Sequence, residues 1–282
     1  MNLPALIKKV FNQSIIQSQS LESGLSNNNT LITLENDERF VVRTPHSQTE
    51  HFFDRQLESR IIERIQPLNL DVECLYFDPH LGIKITRYIE HAQQFSECTR
   101  SLHDKMNAVA TLLRRLHDAT IEGFPCFDPF ERLHQYRQTI KNTNLSLYNA
   151  ELEISLHKKW KQSPKILCHN DVVSGNLLFT PQRVYLIDYE YAGSNDPYFD
   201  LASFLSENNL VDPSSTQKLL VAYLARSPLP NEIHALMDWI HFQDLMWANW
   251  AIMMYEQHQR SIYHDIYLEK YTRYIYWQSR KN

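Results

Sequence analysis

The amino-acid sequence predicts a bilobal α+β fold, with a small β-rich lobe over residues 1–90 and a larger, mainly helical lobe over residues 91–282. Short β-branched and aromatic runs, separated by turn-forming residues, dominate the first part. Apolar residues at helical spacing dominate the second part. A chain of 282 residues is also long enough to bury a large core, in one domain or in two lobes.

The N-terminal lobe is predicted to be a small sheet with one helix laid on it. Residues 30–34 and 39–43 flank a turn-forming segment, which is typical of a β-hairpin, and residues 72–77 and 82–88 are predicted as two further strands. Between these pairs, residues 49–65 carry apolar side chains at helical spacing. A single amphipathic helix therefore connects the two halves of the sheet.

The C-terminal lobe is predicted to be mostly helical. Residues 105–119 place their apolar side chains on one face, and prolines precede a second helix at 130–140. Residues 198–225 and 230–276 also have helical patterns, with prolines at their ends.

A polar motif lies between these helical regions. His169, Asp171 and Asn176 have the spacing H-x-D-x-x-x-x-N, and Asp188 follows. In kinases the first Asp of such a motif receives or orients the proton of the attacking hydroxyl, while the Asn and a later Asp hold magnesium. We therefore predict that Asp171 is catalytic and that Asn176 and Asp188 are metal ligands. A buried hairpin with polar ends explains any one of these acids, but three polar residues at this spacing favour phosphoryl transfer.

Two short apolar runs join Asn176 to Asp188. Residues 177–179 and 184–187 are strand-like, and the residues between them include a Pro suited to a turn. Because a hairpin returns the chain to its starting point, Asn176 and Asp188 are expected at the same end.

A kinase-like centre also needs a phosphate-contacting loop and a cation in the first lobe. Gly24, with Ser and Asn neighbours, precedes the first predicted strand, although an ordinary surface turn has the same composition. Arg43 offers a permanent charge and a two-point fork, although a solvated Arg at a sheet edge is equally compatible with the residues alone. Glu58 is its natural partner because it lies on the following helix, although the choice of Glu58 among the charged residues of that helix depends on a family resemblance. On the same helix, a solvated face is expected from Arg55, Arg60, Glu63 and Arg64.

Together these segments resemble the choline/ethanolamine kinase family of the aminoglycoside-phosphotransferase-like kinases. The matching segments are Gly24–Asn27, Arg43, Arg55–Glu58, His169–Asp171, Gly175-Asn176, Ile187–Tyr191, Phe199-Asp200 with Glu207, and Trp247 with Trp250. The resemblance implies a protein-kinase-like fold that uses ATP and Mg²⁺. Asp200 and His169 are interpreted as residues that position the catalytic loop.

The resemblance also implies a set of binding residues. ATP contacts are assigned to Ser26, Asn27, Arg43 and Glu58, and acceptor contacts to Glu190, Tyr191, Glu207, Trp247 and Trp250. A quaternary ammonium has no N–H to donate, so aromatic faces and negative charge suit it. Taken alone, Trp247 and Trp250 also fit core packing, because residues three apart share one face of a helix.

The predicted activity is thus phosphorylation of a small cationic alcohol, choline or ethanolamine first. Thiamine is also a cationic primary alcohol, so a thiamine kinase is the alternative. An aminoglycoside phosphotransferase is less well supported, because the C-terminal Arg280-Lys281-Asn282 is poorly suited to a polycation. A catalytically inactive nucleotide-binding regulator fits the single-Gly loop and the missing strand Lys, but not the retained Asp171, Asn176 and Asp188.

Composition restricts the remaining classes. A net charge of -5 and the absence of a long basic run argue against a nucleic-acid partner. No apolar run reaches the roughly 18 residues of a membrane span, and Met1–Val10 is too short and mixed for a signal peptide. Four widely spaced cysteines predict free buried thiols and a cytoplasmic location. The sequence leaves the oligomeric state open.

Overall fold

The computed structural model describes residues 2–21, 27–45 and 53–279. Packing divides the chain into two compact units, of which the first comprises Met1–Phe124 with Val173–Ala192, and the second Pro125–Val172 with Gly193–Asn282. The predicted boundary of functional lobes near residue 90 is a different kind of division and stays a prediction.

Helices and strands alternate in the first part of the chain, and helices dominate the rest. The helices are α1 Leu3–Phe11, α2 Arg55–Ile65, α3 Leu102–His117, α4 Pro129–Thr139, α5 Ala150–Gln162, α6 Pro197–Glu207, α7 Pro213–Leu224, α8 Pro230–His258 and α9 Ser261–Ser279. The strands are β1 Ile15–Leu21, β2 Asn27–Leu34, β3 Arg39–Pro45, β4 Cys74–Asp78, β5 Ile83–Arg87, β6 Gln93–Gln94, β7 Ile166–Cys168, β8 Leu177–Phe179, β9 Val184–Leu186 and β10 Gly193–Asn195. The predicted α+β class is confirmed.

The first unit contains a five-stranded antiparallel sheet in the order β1-β2-β3-β5-β4. Ile32, Phe40 and Ile85 are buried on one face, where Leu6 and Ile7 of α1 pack against them. Burial of these side chains is the main favourable term holding α1 to the sheet. The four predicted strands are confirmed, whereas α1 and β1 were not anticipated.

Helix α2 is shorter than the sequence predicts. It begins at Arg55, because the side chain of Asp54 accepts a hydrogen bond from the Leu57 N–H at 2.9 Å and so caps the first turn. The predicted start at residue 49 is therefore wrong for residues 53 and 54, while residues 49–52 lie outside the described residues. The ring of Phe53 packs edge-on against Tyr191, with centroids 5.0 Å apart, instead of extending the helical face.

The predicted hairpin after the polar motif is confirmed in the first unit. Strands β8 and β9 pair antiparallel, with Leu177 opposite Leu186. The Ile187 N–H donates to the Asn176 carbonyl at 2.9 Å, one residue before Asp188. The two predicted metal ligands are therefore neighbours at the open end of this hairpin.

The second unit is built around helix α8, which packs against α4, α5, α6, α7 and α9. Trp239 and Phe242 of α8 form a buried aromatic cluster with Phe199 and Phe130. Strands β7 and β10 pair antiparallel at the ends of the segment that carries the catalytic loop. The predicted helical character of the later chain is confirmed.

The cysteines form no disulfide. Cys98 and Cys168 are buried and Cys74 is partly buried, but Cys126 is exposed, so the expectation of buried thiols is wrong for Cys126. Within the described ranges, none of the helices has both the length and the apolar composition needed to cross a bilayer. The cytoplasmic location and the lack of a nucleic-acid partner stay predictions.

Candidate active site

Arg43 and Glu58 form a two-point ion pair inside the first unit. The two guanidinium nitrogens of Arg43, on β3, donate to the two carboxylate oxygens of Glu58, on α2, at 2.6 and 2.7 Å. Arg43 Nη1 also donates to Asp188 Oδ1 at 2.8 Å. A planar fork matches a carboxylate in this way because its N–H groups are fixed in direction. The pair thus connects the sheet and α2 to the residue that ends the hairpin.

Burial and charge act in opposite directions on this pair. Burial lowers the pKa of Arg43, but the charges of Glu58 and Asp188 outweigh it, so the pKa is raised above its ordinary value. Burial raises the pKa of Glu58, but Lys84 and Arg43 outweigh it, so the pKa falls below its ordinary value. Both groups are therefore charged at neutral pH.

Arg55 is buried, and the expectation that it lies on a solvated face is wrong. Its Nη1 donates to Glu58 Oε2 at 2.8 Å and to Glu190 Oε2 at 3.0 Å, and its Nη2 donates to Asn27 Oδ1 at 3.0 Å. The helical spacing of Arg55 and Glu58, three residues apart, was a usable signal. No local pattern indicated the contact with Glu190, because the two residues are 135 apart in sequence.

Lys84 is a second buried cation that the sequence analysis missed. Its ammonium contacts Glu58 Oε1 at 3.2 Å. Lys84 lies on β5 directly opposite Arg43 on β3, so the pairing of these strands places both cations beside one carboxylate. That pairing was not predicted, and Lys84 had no recognisable role without it.

Asp188 and Asn176 carry the oxygen atoms at the open end of the hairpin. Asp188 has a φ of 69°, in the left-handed region, and a three-residue helical turn, Tyr189–Tyr191, follows it. The Asp188 side chain is 28% exposed, more than Arg43 or Glu58. Carboxylate and amide oxygens are ligands that Mg²⁺ accepts, so the chemistry of these two residues fits the predicted metal.

Glu190 was predicted to contact the acceptor, and the structure places it among polar side chains of the first unit. Its Oε2 accepts hydrogen bonds from Asn27 at 2.9 Å and from Arg55. Burial, with a further contribution from the charge of Asp188, raises the pKa of Glu190 to about 7. Asn27, predicted to contact ATP, is buried with it, whereas Ser26 lies outside the described residues.

The predicted catalytic loop, in the second unit, is held by Asp200. The backbone N–H groups of His169 and Asn170 donate to the two carboxylate oxygens of Asp200, on α6, at 2.8 and 2.7 Å. The Asp171 N–H donates to Nδ1 of the fully buried His169 at 3.3 Å. The predicted positioning roles of Asp200 and His169 are confirmed by these contacts. Asp171 thus follows directly on a backbone segment that two buried side chains fix.

The remaining predicted acceptor residues of the second unit lie on α6 and α8. Trp247 and Trp250 pack edge to face, with centroids 5.8 Å apart. Glu207 accepts a hydrogen bond from the buried Lys270, on α9, at 2.7 Å. This cation was not predicted from the sequence. Tyr191, the other predicted aromatic contact, belongs to the first unit, where it is buried.

Fold and local geometry define a class of protein. Kinases use two sets of residues for phosphoryl transfer, and both types are present here. One is a strand Arg that binds a helix Glu and an Asp after a hairpin, and the other is an Asp on a loop held by buried side chains. The α+β chain is therefore a kinase-like phosphotransferase.

Comparison with known proteins agrees with this class and narrows it. The profile of the phosphotransferase enzyme family, APH, matches residues 18–236, so the chain belongs to this family. The structure of choline kinase LicA from Streptococcus pneumoniae superimposes with a TM-score of 0.80 at 27% identity, over 97% of this chain and 96% of that one. A structure of LicA in complex with AMP gives a TM-score of 0.76 at 26% identity, over 96% of both chains. The predicted protein-kinase-like fold is confirmed.

Two relatives show how far the similarity extends in sequence. LicA from Haemophilus influenzae is 28% identical over 195 residues, which are 66% of this chain but only 57% of that protein. Thiamine kinase from Escherichia coli is 27% identical over 237 residues, 83% of this chain and 79% of that enzyme. The predicted membership of the choline/ethanolamine kinase branch is confirmed, whereas the acceptor alcohol is not distinguished.

Proposed function

We propose that this protein is an ATP-dependent kinase that phosphorylates the hydroxyl of a small cationic alcohol, with choline or ethanolamine as the first candidates. The observation that carries the proposal is the contact of Arg43 with both Glu58 and Asp188, at 2.6–2.8 Å. A cation held in this way is aligned for phosphate before the nucleotide arrives, so little reorganisation is needed on binding. The likeness to choline kinase LicA supports the choice of acceptor.

In this proposal Asp171 acts on the acceptor. Its carboxylate accepts the hydroxyl proton as the oxygen attacks the γ-phosphorus of ATP, and the bond to the leaving ADP breaks. The contacts of Asp200 with the backbone before Asp171 keep the carboxylate in a fixed direction. Positioning of this kind lowers the entropic part of the barrier.

The other predicted residues bind the nucleotide and the metal. Arg43 holds a phosphate oxygen while Glu58 keeps its fork oriented. Asn27 is assigned to the phosphates, as is Ser26, which is outside the described residues. Asn176 and Asp188 would hold Mg²⁺, which when bound neutralises the phosphate charge.

Acceptor recognition is assigned to aromatic and acidic side chains: Glu190, Tyr191, Glu207, Trp247 and Trp250. Aromatic faces attract an ammonium group through their quadrupole. The carboxylates of Glu190 and Glu207 are already paired, with Arg55 and Lys270 respectively. The aromatic side chains therefore carry more of the predicted cation affinity than the acids.

The reaction is tested by measuring ADP release in a coupled assay with choline, ethanolamine, thiamine and kanamycin as acceptors. We expect choline or ethanolamine to give the highest kcat/KM. No turnover of any alcohol in a wider panel, despite binding of ATP and Mg²⁺, would favour a catalytically inactive regulator instead.

The role of Asp171 is tested by Asp171→Ala. General-base catalysis contributes typically 10²- to 10⁴-fold, so we expect kcat to fall by about that factor. ATP affinity, measured by calorimetry, should change little, since this carboxylate acts on the acceptor. Asp265→Ala removes an exposed acid of α9 and is the matched control. Near-normal turnover by Asp171→Ala would sink the assignment.

A thiamine kinase is the second candidate, favoured by one observation. The alignment with Escherichia coli thiamine kinase spans 83% of this chain and 79% of that enzyme. Thiamine carries a cationic ring and a primary alcohol, so the same aromatic residues suit it. A kcat/KM for thiamine far above that for choline would make this candidate the function.

A further inference from the structure

Three buried polar side chains form a closed triangle in the first unit. Arg55 donates to Glu190 and to Asn27, each at 3.0 Å, and Asn27 Nδ2 donates to Glu190 Oε2 at 2.9 Å. All three side chains are buried, so each hydrogen bond replaces one that water would otherwise make. A buried guanidinium or carboxylate without such partners would be strongly destabilising.

The triangle brings together three chain segments that are distant in sequence. Arg55 is the first residue of α2, Asn27 is the first residue of β2, and Glu190 is the middle of the turn after Asp188. Asp188 itself has left-handed backbone geometry, which costs a non-glycine residue free energy and persists where its surroundings hold it. Besides the contact of Arg43 with Asp188, Arg55 is thus a second contact that attaches the Asp188 turn to the helix and to the sheet.

The shape of the guanidinium matters as much as its charge. Glu58 Oε2 and Glu190 Oε2 both lie within 3.0 Å of Arg55 Nη1, so one nitrogen separates two carboxylates, while Nη2 reaches Asn27. A Lys ammonium is a point charge and lacks this fixed fork. Positive charge is also supplied to the cluster by Arg43 and Lys84, which contact Glu58 and Asp188, so charge is not unique to Arg55.

We propose that Arg55 is a positioning residue: by holding Glu190 and Asn27 together, it fixes the turn that presents Asp188 to Mg²⁺ and the nucleotide phosphates. The inference rests on the proposed function. It reassigns Glu190 from the acceptor to this turn, because its carboxylate is already bound by Arg55 and Asn27. Removing Arg55 should therefore weaken Mg²⁺-dependent nucleotide binding more than acceptor binding.

The test compares ATP affinity with and without Mg²⁺ by calorimetry in the intact protein. The variants are Arg55→Met, Arg55→Lys, Glu190→Gln and the double variant Arg55→Met/Glu190→Gln. We expect Arg55→Met to raise the Kd for ATP with Mg²⁺ about tenfold, which is about 1.4 kcal/mol, and the Kd without Mg²⁺ much less. Arg60→Met, which removes an exposed Arg of the same helix, should leave both values unchanged.

The double variant separates positioning from neutralisation of a buried charge. It removes the cation and the carboxylate together, so it should regain the melting temperature that Arg55→Met loses. If Arg55 positions the turn, the Mg²⁺-dependent affinity stays low in the double variant and also falls in Arg55→Lys. Recovery of that affinity together with the melting temperature would show that Arg55 only neutralises Glu190, and would overturn the proposal.

Acceptor kinetics provide a second readout and keep the two proposals apart. Glu190→Gln should change the Mg²⁺ concentration needed for half-maximal rate, with little change in KM for the acceptor. A rise in acceptor KM alone would return Glu190 to the acceptor and overturn the inference while leaving the kinase function intact. A wild-type protein that binds no ATP in the presence of Mg²⁺ would instead overturn the proposed function itself.

Discussion

Each of the two units buries a cluster of charged side chains, and the clusters differ in what they leave accessible. In the first unit, Arg43 pairs with Glu58 and reaches Asp188, whose side chain is 28% exposed. In the second unit, Arg273 of α9 donates from Nε to both carboxylate oxygens of Asp244, on α8, at 3.1 and 3.2 Å, and Asp244 is 0% exposed. Arg273 also contacts Glu269, whose side chain is 50% exposed, so the two clusters differ in the Asp that the Arg holds: Asp188 is partly accessible to solvent, whereas Asp244 is not.

The two clusters also differ in the backbone conformation of the residues that form them. Asp188 has a φ of 69° and lies between a strand and a short turn, whereas Asp244 and Arg273 lie inside regular helices. A buried ion pair is weak evidence for stability by itself, because desolvation offsets much of the attraction. The exposure and backbone conformation of the paired Asp, rather than the number of ion pairs, therefore distinguish a candidate functional site from an ion pair that only stabilises the fold.

The largest expected effect is a loss of stability when the second cluster is disrupted, and its absence would contradict the structural role given to that cluster. The Asp244 carboxylate holds Arg273 and accepts a hydrogen bond from Ser206. The variant Asp244→Asn removes the charge of this carboxylate. Breaking a buried pair from one side costs about 3–5 kcal/mol, so we expect the free energy of unfolding in urea to fall by roughly that amount. Kinetic constants of the surviving folded enzyme should be unchanged.

An exposed ion pair serves as the control for Asp244→Asn. Lys159 contacts Asp238 at 2.7 Å, but its side chain is 59% exposed, so Lys159→Met should change the free energy of unfolding far less. A loss of Mg²⁺-dependent ATP binding in Asp244→Asn, without loss of stability, would show that the second cluster also serves the nucleotide.

A buried acid of the first unit, Asp71, is expected to make the stability of the protein depend on pH. Asp71 is buried, its Oδ1 accepts the Val72 N–H at 2.7 Å, and its Oδ2 has no hydrogen-bond partner among the described residues. Burial raises its pKa from 3.8 to about 7, and the charges of Asp188 and Glu58 contribute to the increase. Between about pH 4 and 7 the folded protein thus holds a proton that the unfolded chain has lost.

The sign of the effect follows from this difference in bound protons. Because the folded state binds more protons in that window, the free energy of unfolding falls as pH rises through it. Asp71→Asn cannot titrate, so we expect it to gain stability relative to the natural protein between pH 4 and 8. At about 1.4 kcal/mol for each pKa unit, the relative gain is on the order of 3 kcal/mol, measured by urea unfolding at both pH values. Parallel curves for the two proteins would contradict the prediction.

The smallest expected effect concerns the aromatic residues of the second unit. Trp247→Leu and Trp250→Leu keep an apolar side chain but remove the aromatic face. If these faces hold the acceptor cation, its binding should weaken by about 1–2 kcal/mol, seen as a higher KM for choline at saturating ATP. Trp239→Leu is the matched control, since Trp239 lies on the same helix but is buried in the core of the protein. This replacement should lower only the melting temperature.

The two Trp variants have a clear contrary outcome. A lower melting temperature with unchanged KM in both would assign Trp247 and Trp250 to packing, as their edge-to-face contact alone would suggest. It would also remove the main physical reason for choosing a quaternary ammonium over another alcohol.

Much of the candidate site was predictable from local sequence patterns. The two apolar runs and the turn residues around Thr180 predict the hairpin, and the pairing of Leu177 with Leu186 confirms it. The Arg-x-x-Glu segment and the strand Arg anticipate the contact of Glu58 with Arg43, although their roles toward ATP stay predictions. The interpretation of Asp200 as a loop-positioning residue also agrees with the structure.

The missed residues share a physical cause. Arg55, Lys84 and Lys270 are charged side chains that sequence patterns assign to solvent, yet each is buried against a carboxylate. Whether a helix or strand cation is solvated depends on which other element packs over it. The bond from Asn27 to Glu190 spans 163 residues, far beyond any local pattern.

The sequence by itself thus determined the α+β class and the family, because periodicity and motif spacing act over short stretches of chain. Only the tertiary structure decided which carboxylates are already paired with a cation: Glu58 and Glu190 with cations of the first unit, and Glu207 with Lys270. The reason is that an ion pair forms where folding brings opposite charges into a desolvated space. That proximity is a property of the packed chain and is not encoded in the spacing of any single segment.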